Sequence, residues 1–119
     1  MKIAGKKGLA VREGPRGRGV FATRTFADGE TVEVCPVVEI TQGGGDLADY
    51  LFESTNEGYF LVVLGFGMLY NHSSEPNIDY YQEESGTLEF VAQRRIERGE
   101  ELTISYGDEW WEARDEDPI

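Results

Sequence analysis

A chain of 119 residues with 39% hydrophobic residues, six Tyr, six Phe and two Trp holds enough apolar material for one core and too little length for two. A formal net charge of −12 disfavours a surface that coats nucleic acid through counterion release and favours a cationic partner. The single cysteine, Cys35, excludes an intrachain disulfide, and with one histidine it cannot complete a Cys/His zinc site, so no metal is expected.

Met1, Lys2, Ile3, Ala4 and Gly5 open the chain without a signal-like apolar run. No window approaches the roughly 20 apolar residues of a membrane span, and a soluble, intracellular protein without membrane contact is expected. The cations are segregated: Lys2, Lys6, Lys7, Arg12, Arg16, Arg18 and Arg24 fall in the first 24 residues, whereas 25–93 holds no Lys or Arg. Either that acidic stretch is a solvated face, or it steers a Lys-rich peptide.

In chain order, short β-branched and aromatic runs at 9–12, 19–23, 31–34, 37–41, 59–64, 78–82, 88–93 and 102–106 alternate with Gly, Pro, Asp and Asn, the pattern of a mostly β domain. Asp28-Gly29 and Ser85-Gly86 read as turns, the second closing a hairpin between 78–82 and 88–93. One segment, 46–53, reads as a short helix: Asp46 can cap it, and Leu47, Tyr50 and Leu51 share one face. The glycines 43–45 make a flexible approach to it, and the acidic tail 110–119 orders only if Trp110 and Trp111 find a surface.

Three clusters can carry chemistry. Gly17-Arg18-Gly19-Val20-Phe21-Ala22 fits G-x-G-x-x-A with Glu39 about 20 residues on, as in a dinucleotide fingerprint. A strand-and-turn pattern follows it, however, where a pyrophosphate-binding helix would have to start. The second, Asn71-His72-Ser73-Ser74-Glu75-Pro76-Asn77, comes directly after an apolar run. Asn71 and His72 can each donate and accept, suiting the adenine edge and amino-acid head of a cofactor; the alternative is that Asn71 and Asn77 only cap turns and His72 is a satisfied surface or core group. The third is a turn followed by an alternating strand, Ile96-Glu97-Arg98-Gly99-Glu100-Glu101-Leu102-Thr103-Ile104-Ser105-Tyr106-Gly107.

In this order the clusters resemble the motifs of SET-domain protein lysine methyltransferases: G-x-G-V-F-A, then N-H-S-x-x-P-N, then G-E-E-L-T-x-x-Y-G. In length and ending the chain looks like the small stand-alone SET proteins of large algal viruses. The resemblance implies one SET domain over 1–119, with its core at about 8–112, small β-sheets, a short helix and a C-terminal pseudoknot. In that knot the Asn71-His72 segment threads a loop closed by the Glu101 to Tyr106 region, an exception to the rule that chains avoid knots. It implies S-adenosylmethionine as cofactor, contacted by Gly17, Arg18 and Gly19 and by Asn71 and His72, with Tyr106 as catalytic tyrosine touching donor and substrate. Ser74 stands where many relatives have Cys, and the Cys-rich tail that completes the lysine channel in some relatives is absent. Trp110 and Trp111 are the candidates to replace it, Trp111 on the cofactor side.

Tyr50, Tyr80 and Tyr106, with Leu64 and Phe66 as apolar wall, are expected to line a lysine channel, since aromatics accept an alkyl stem and a methylammonium head; core packing is the alternative for Tyr50 and Tyr80. The expected activity is protein-lysine N-methylation of a basic protein, a histone tail being one fit, with a homodimer implied by the viral look-alikes. A silent SET-like module that only binds a basic peptide is the alternative.

Overall fold

In a computed structural model, residues 3–6 and 8–106 are described. The elements in chain order are strands β1 (Ile3–Lys6), β2 (Leu9–Gly14), β3 (Gly17–Ala22), β4 (Thr31–Ile40), β5 (Phe52–Glu53) and β6 (Phe60–Val63). A 3-10 helix, η1 (Gly67–Leu69), precedes β7 (Asn71–His72), β8 (Ile78–Glu83), β9 (Thr87–Ala92) and β10 (Glu101–Ile104). They build two five-stranded sheets, one ordered β1-β2-β3-β10-β7 and the other β5-β6-β4-β9-β8.

The first sheet grows from the β2/β3 hairpin, closed at Gly14↔Gly17, where Gly17 at φ +87° takes a conformation that costs other residues a Cβ clash. Residues 17–22 are thus a strand, which removes the dinucleotide reading. The second sheet contains the expected hairpin: β8 and β9 pair from Ile78↔Ala92 to Glu83↔Thr87 around Gly86. Two runs read separately at 31–34 and 37–41 are one strand, β4. Pro36, which has no N–H to give a ladder, ends the pairing with β9 at Pro36↔Thr87, and the pairing with β6 begins at Val37↔Val63.

The helix expected over 46–53 does not form. Ala48 N–H bonds to Gly45 O (3.1 Å) and Tyr50 N–H to Leu47 O (2.9 Å), both turn-type i to i+3 contacts, and Phe52–Glu53 is β5, paired with β6 through Phe52↔Leu61. Eight residues are too few to recover the cost of helix nucleation, and the intended apolar face stays exposed at Leu47 and Tyr50. The short helix of the fold is η1 instead, where Gly67 and Leu69 amides bond to Leu64 and Phe66 carbonyls.

Both sheets contribute to one core. Leu9, Val11, Val20, Leu102 and Ile104 come from the first, Leu61, Ile78, Leu88 and Phe90 from the second, and Phe26 and Ile96 from a bridge between loops. Full burial of each such side chain contributes about 1.5 to 3 kcal/mol. No helix among the described residues is long and apolar enough to cross a membrane.

Candidate functional site

The C-terminal strand β10 lies between β3 and β7. It runs antiparallel to β3 through Glu101↔Phe21 and Leu102↔Val20, and parallel to β7 through Thr103↔Asn71 and Ile104↔His72. This arrangement brings all three sequence clusters together. Where β7 is too short to pair with the start of β10, the buried Asn77 side chain substitutes for a strand. Its Nδ2 donates to Glu101 O (2.9 Å) and its Oδ1 accepts from Thr103 N–H (2.8 Å). Parallel pairing needs a long connection, and here residues 73–100 supply it.

On one side of β10, Asn71 Nδ2 donates to Arg18 O (2.9 Å) and to Glu101 Oε2 (2.8 Å). The Glu101 side chain is only 6% exposed and accepts from Arg16 Nη1 at 3.2 Å. Gly19 lies under this group: a Cβ there would collide with Glu101 Oε2 and come within 2.8 Å of Asn71 Nδ2. At Gly17 a Cβ would meet nothing within 4 Å. Both amide hydrogens of Asn71 are thus spent inside the protein, and its oxygen remains an acceptor.

At the other end of the strand, Tyr106 is held to the β7 side by two bonds. Its backbone N–H donates to His72 Nδ1 (3.1 Å), and its phenol donates to Tyr70 O (3.2 Å). The rings of His72 and Tyr106 are 5.2 Å apart. Burial lowers the His72 pKa, and the positive charge of Arg16 adds to the shift, so the imidazole stays neutral near neutral pH. Burial raises the Tyr106 phenol, the His72 backbone contact opposes this, and Tyr50 and Glu101 push it further up, so it keeps its proton.

Tyr80, another predicted tyrosine, reaches the same end. Tyr80 Oη donates to Ser105 O (3.2 Å), and its ring packs edge-on against Phe52 at 5.0 Å, so it serves the core and the site together. Burial raises its phenol, with Asp79 and Glu53 adding to the shift. Tyr50 is 45% exposed. Phe66 is a core residue, whereas Leu64 is 46% exposed with its N–H on Pro36 O. Trp110 and Trp111 lie outside the described residues.

Arg16, Glu101 and Tyr70 were not singled out from the sequence. Glu101 has a signal in the G-E-E-L-T motif, at the start of the region that closes the loop around Asn71-His72, and nothing local marks its contact with Asn71.

The SET domain family pattern matches residues 17–107. The chain is 33% identical over 112 residues to the histone-lysine N-methyltransferase, H3 lysine-37 specific, of Schizosaccharomyces pombe, covering 87% of this chain and 76% of that one. A crystal structure of a histone methyltransferase candidate from Plasmodium falciparum aligns with a TM-score of 0.72 at 33% identity, over 89% of this chain and 98% of that one. The chain belongs to the SET-domain family. The SET domain is that of a protein-lysine methyltransferase, and the two-sheet architecture with β10 between β3 and β7 is its scaffold.

Proposed function

We propose that this SET domain methylates a lysine side chain of a basic protein, with a histone tail as the favoured target and S-adenosylmethionine as the donor. The observation that carries this reading is the meeting of Asn71 and His72 on β7 with Tyr106, two residues past the end of the adjoining strand β10, the Tyr106 phenol being fixed on Tyr70 O.

The chemistry of the donor set fits the cofactor. Asn71 Oδ1, the Glu101 carboxylate and Arg18 O are acceptors suited to an α-ammonium, while Arg16 suits a carboxylate. Gly17, Arg18 and Gly19 offer backbone without bulk, and His72, held neutral, offers its peptide and ring to the adenine side. When bound, S-adenosylmethionine supplies an electrophilic sulfonium methyl. Tyr106 orients the incoming amine through its phenol oxygen, whose hydrogen is committed to Tyr70 O. Tyr50 and Tyr80 flank the alkyl stem, and Trp110 and Trp111 are assigned to the channel and cofactor side.

A free lysine has a pKa of about 10.4, and desolvation between these rings favours its neutral, nucleophilic form without a dedicated base. The sequence from 25 to 93 has no Lys or Arg, so the whole second sheet is free of cations and suits a Lys-rich segment. The H3 lysine-37 specificity named for the Schizosaccharomyces pombe relative supports a histone tail. A homodimer is part of this reading, because Val34, Val38 and Tyr81 are about half-exposed on the second sheet. Sedimentation at micromolar concentration tests that part.

Mass spectrometry of a mixed histone and peptide array after incubation with the methyl donor tests the activity. Added mass in methyl steps on lysine supports it, and an unmodified array with a cofactor-binding protein favours a silent binding module.

A further inference from the structure

Glu33 is a carboxylate in the core. A register shift in β4 between Thr31 and Glu33 turns Val32 and Glu33 inward together, leaving Glu33 5% exposed. Among the described residues no Lys or Arg forms an ion pair with it. Its partners are two neutral donors: Tyr70 Oη on Oε1 at 2.7 Å and Phe66 N–H on Oε2 at 2.9 Å. Gly65 admits the carboxylate, since its φ is +68° and a Cβ there would lie 2.5 Å from Oε2.

Burying a carboxylate without a cation is costly, and only its hydrogen bonds to Tyr70 and Phe66 offset that cost. The two bonds grip both ends of the segment 66–70 that contains η1 and leads into β7. The residue gripped at the far end is Tyr70, 1% exposed, with its ring 4.7 Å from Phe90. Burial first, and then the charge of Glu33, raise its phenol well above the ordinary value, so it remains a donor to the carboxylate. The backbone carbonyl of this same residue accepts the Tyr106 phenol.

We propose that Glu33 is a positioning residue for Tyr106: through the Tyr70 side chain it fixes the Tyr70 carbonyl, which in turn sets the direction of the Tyr106 hydroxyl. Neither Glu33 nor Tyr70 contacts the reacting atoms. The inference takes from the proposed function only that Tyr106 orients the amine.

The test compares the full chain with Tyr70→Phe, Glu33→Gln and a core control, Ile78→Val. Two readouts are needed: kcat and KM on an unmodified lysine peptide that the wild type methylates, and the 13C resonance of the Tyr106 ring carbon bearing the hydroxyl, assigned with Tyr106→Phe. Tyr70→Phe and Glu33→Gln are expected to lower kcat by about tenfold with KM nearly unchanged, a transition-state effect. Both should shift the Tyr106 resonance, and Ile78→Val should change neither. A resonance unmoved in Tyr70→Phe, or a kcat matching that of Ile78→Val, overturns the proposal. If Glu33→Gln does not fold, Tyr70→Phe decides alone. If the wild type methylates no peptide, the proposed function fails, while the resonance still tests the positioning.

Discussion

Nδ1 of His72 accepts the backbone N–H of Tyr106 at 3.1 Å, so the residue assigned to the cofactor also holds the tyrosine assigned to the amine. The bond needs an unprotonated Nδ1.

Acid should therefore loosen the site. Burial, with Arg16 adding to it, places the folded-state pKa of His72 below its ordinary value. The unfolded chain takes up this proton at about 6.5, so the histidine's contribution to stability is complete above that pH. It is lost as pH falls from there toward the lower folded value. Melting temperature and affinity for S-adenosylhomocysteine should fall below about pH 6.5 in the wild type. His72→Asn, whose Oδ1 can still accept, should show a smaller decline in that window, and an equal decline would remove His72 as its cause.

Tyr106→Phe removes the phenol oxygen and keeps the ring. Loss of one positioned polar group at a reacting centre should lower kcat on the order of 100-fold. The same deletion removes one 3.2 Å bond to Tyr70 O, about 1 kcal/mol of stability, so circular dichroism should report a folded protein. Full kcat in that protein would exclude the role.

Much of this was legible because strand alternation and turn glycines are local signals. β2, β3, β8, β9 and β10 lie where the runs of apolar residues place them, and Gly86 sits at the expected turn. β7 has only two residues and pairs with a strand some thirty positions away, so no window around Asn71 contains its partner. Strict alternation would turn Glu33 to the side opposite Val32, and the register shift that buries both is a property of the pairing with β9. Likewise the apolar spacing at 47, 50 and 51 gave a helix because β6, which captures Phe52, is invisible from within the segment.

The two asparagines of one motif should fail differently. Asn77→Ala leaves Thr103 N–H and Glu101 O without their partner inside the protein, which should cost about 1 to 3 kcal/mol of stability and lower the melting temperature. Asn71→Ala releases Arg18 O and Glu101 Oε2 at the more open side, where water can replace the lost donor. Its main effect should be on calorimetric affinity for the cofactor, about tenfold for 1.4 kcal/mol. Unchanged affinity in Asn71→Ala would refute the cofactor assignment.

The two glycines of the first motif separate in the same way. At Gly17 an added methyl has open space, but φ is +87°, so Gly17→Ala should cost about 1 to 2 kcal/mol of hairpin stability. Gly19 carries no such backbone demand, and its Cβ would run into Glu101 Oε2 and Asn71 Nδ2. Glu101 cannot swing away without losing Arg16, and Asn71 cannot without losing Arg18 O. Gly19→Ala should therefore reduce affinity for S-adenosylhomocysteine more than Gly17→Ala does at matched stability, as read by calorimetry beside thermal melts. The reverse order would mean that the Arg16, Glu101 and Asn71 group is not the floor of the cofactor site.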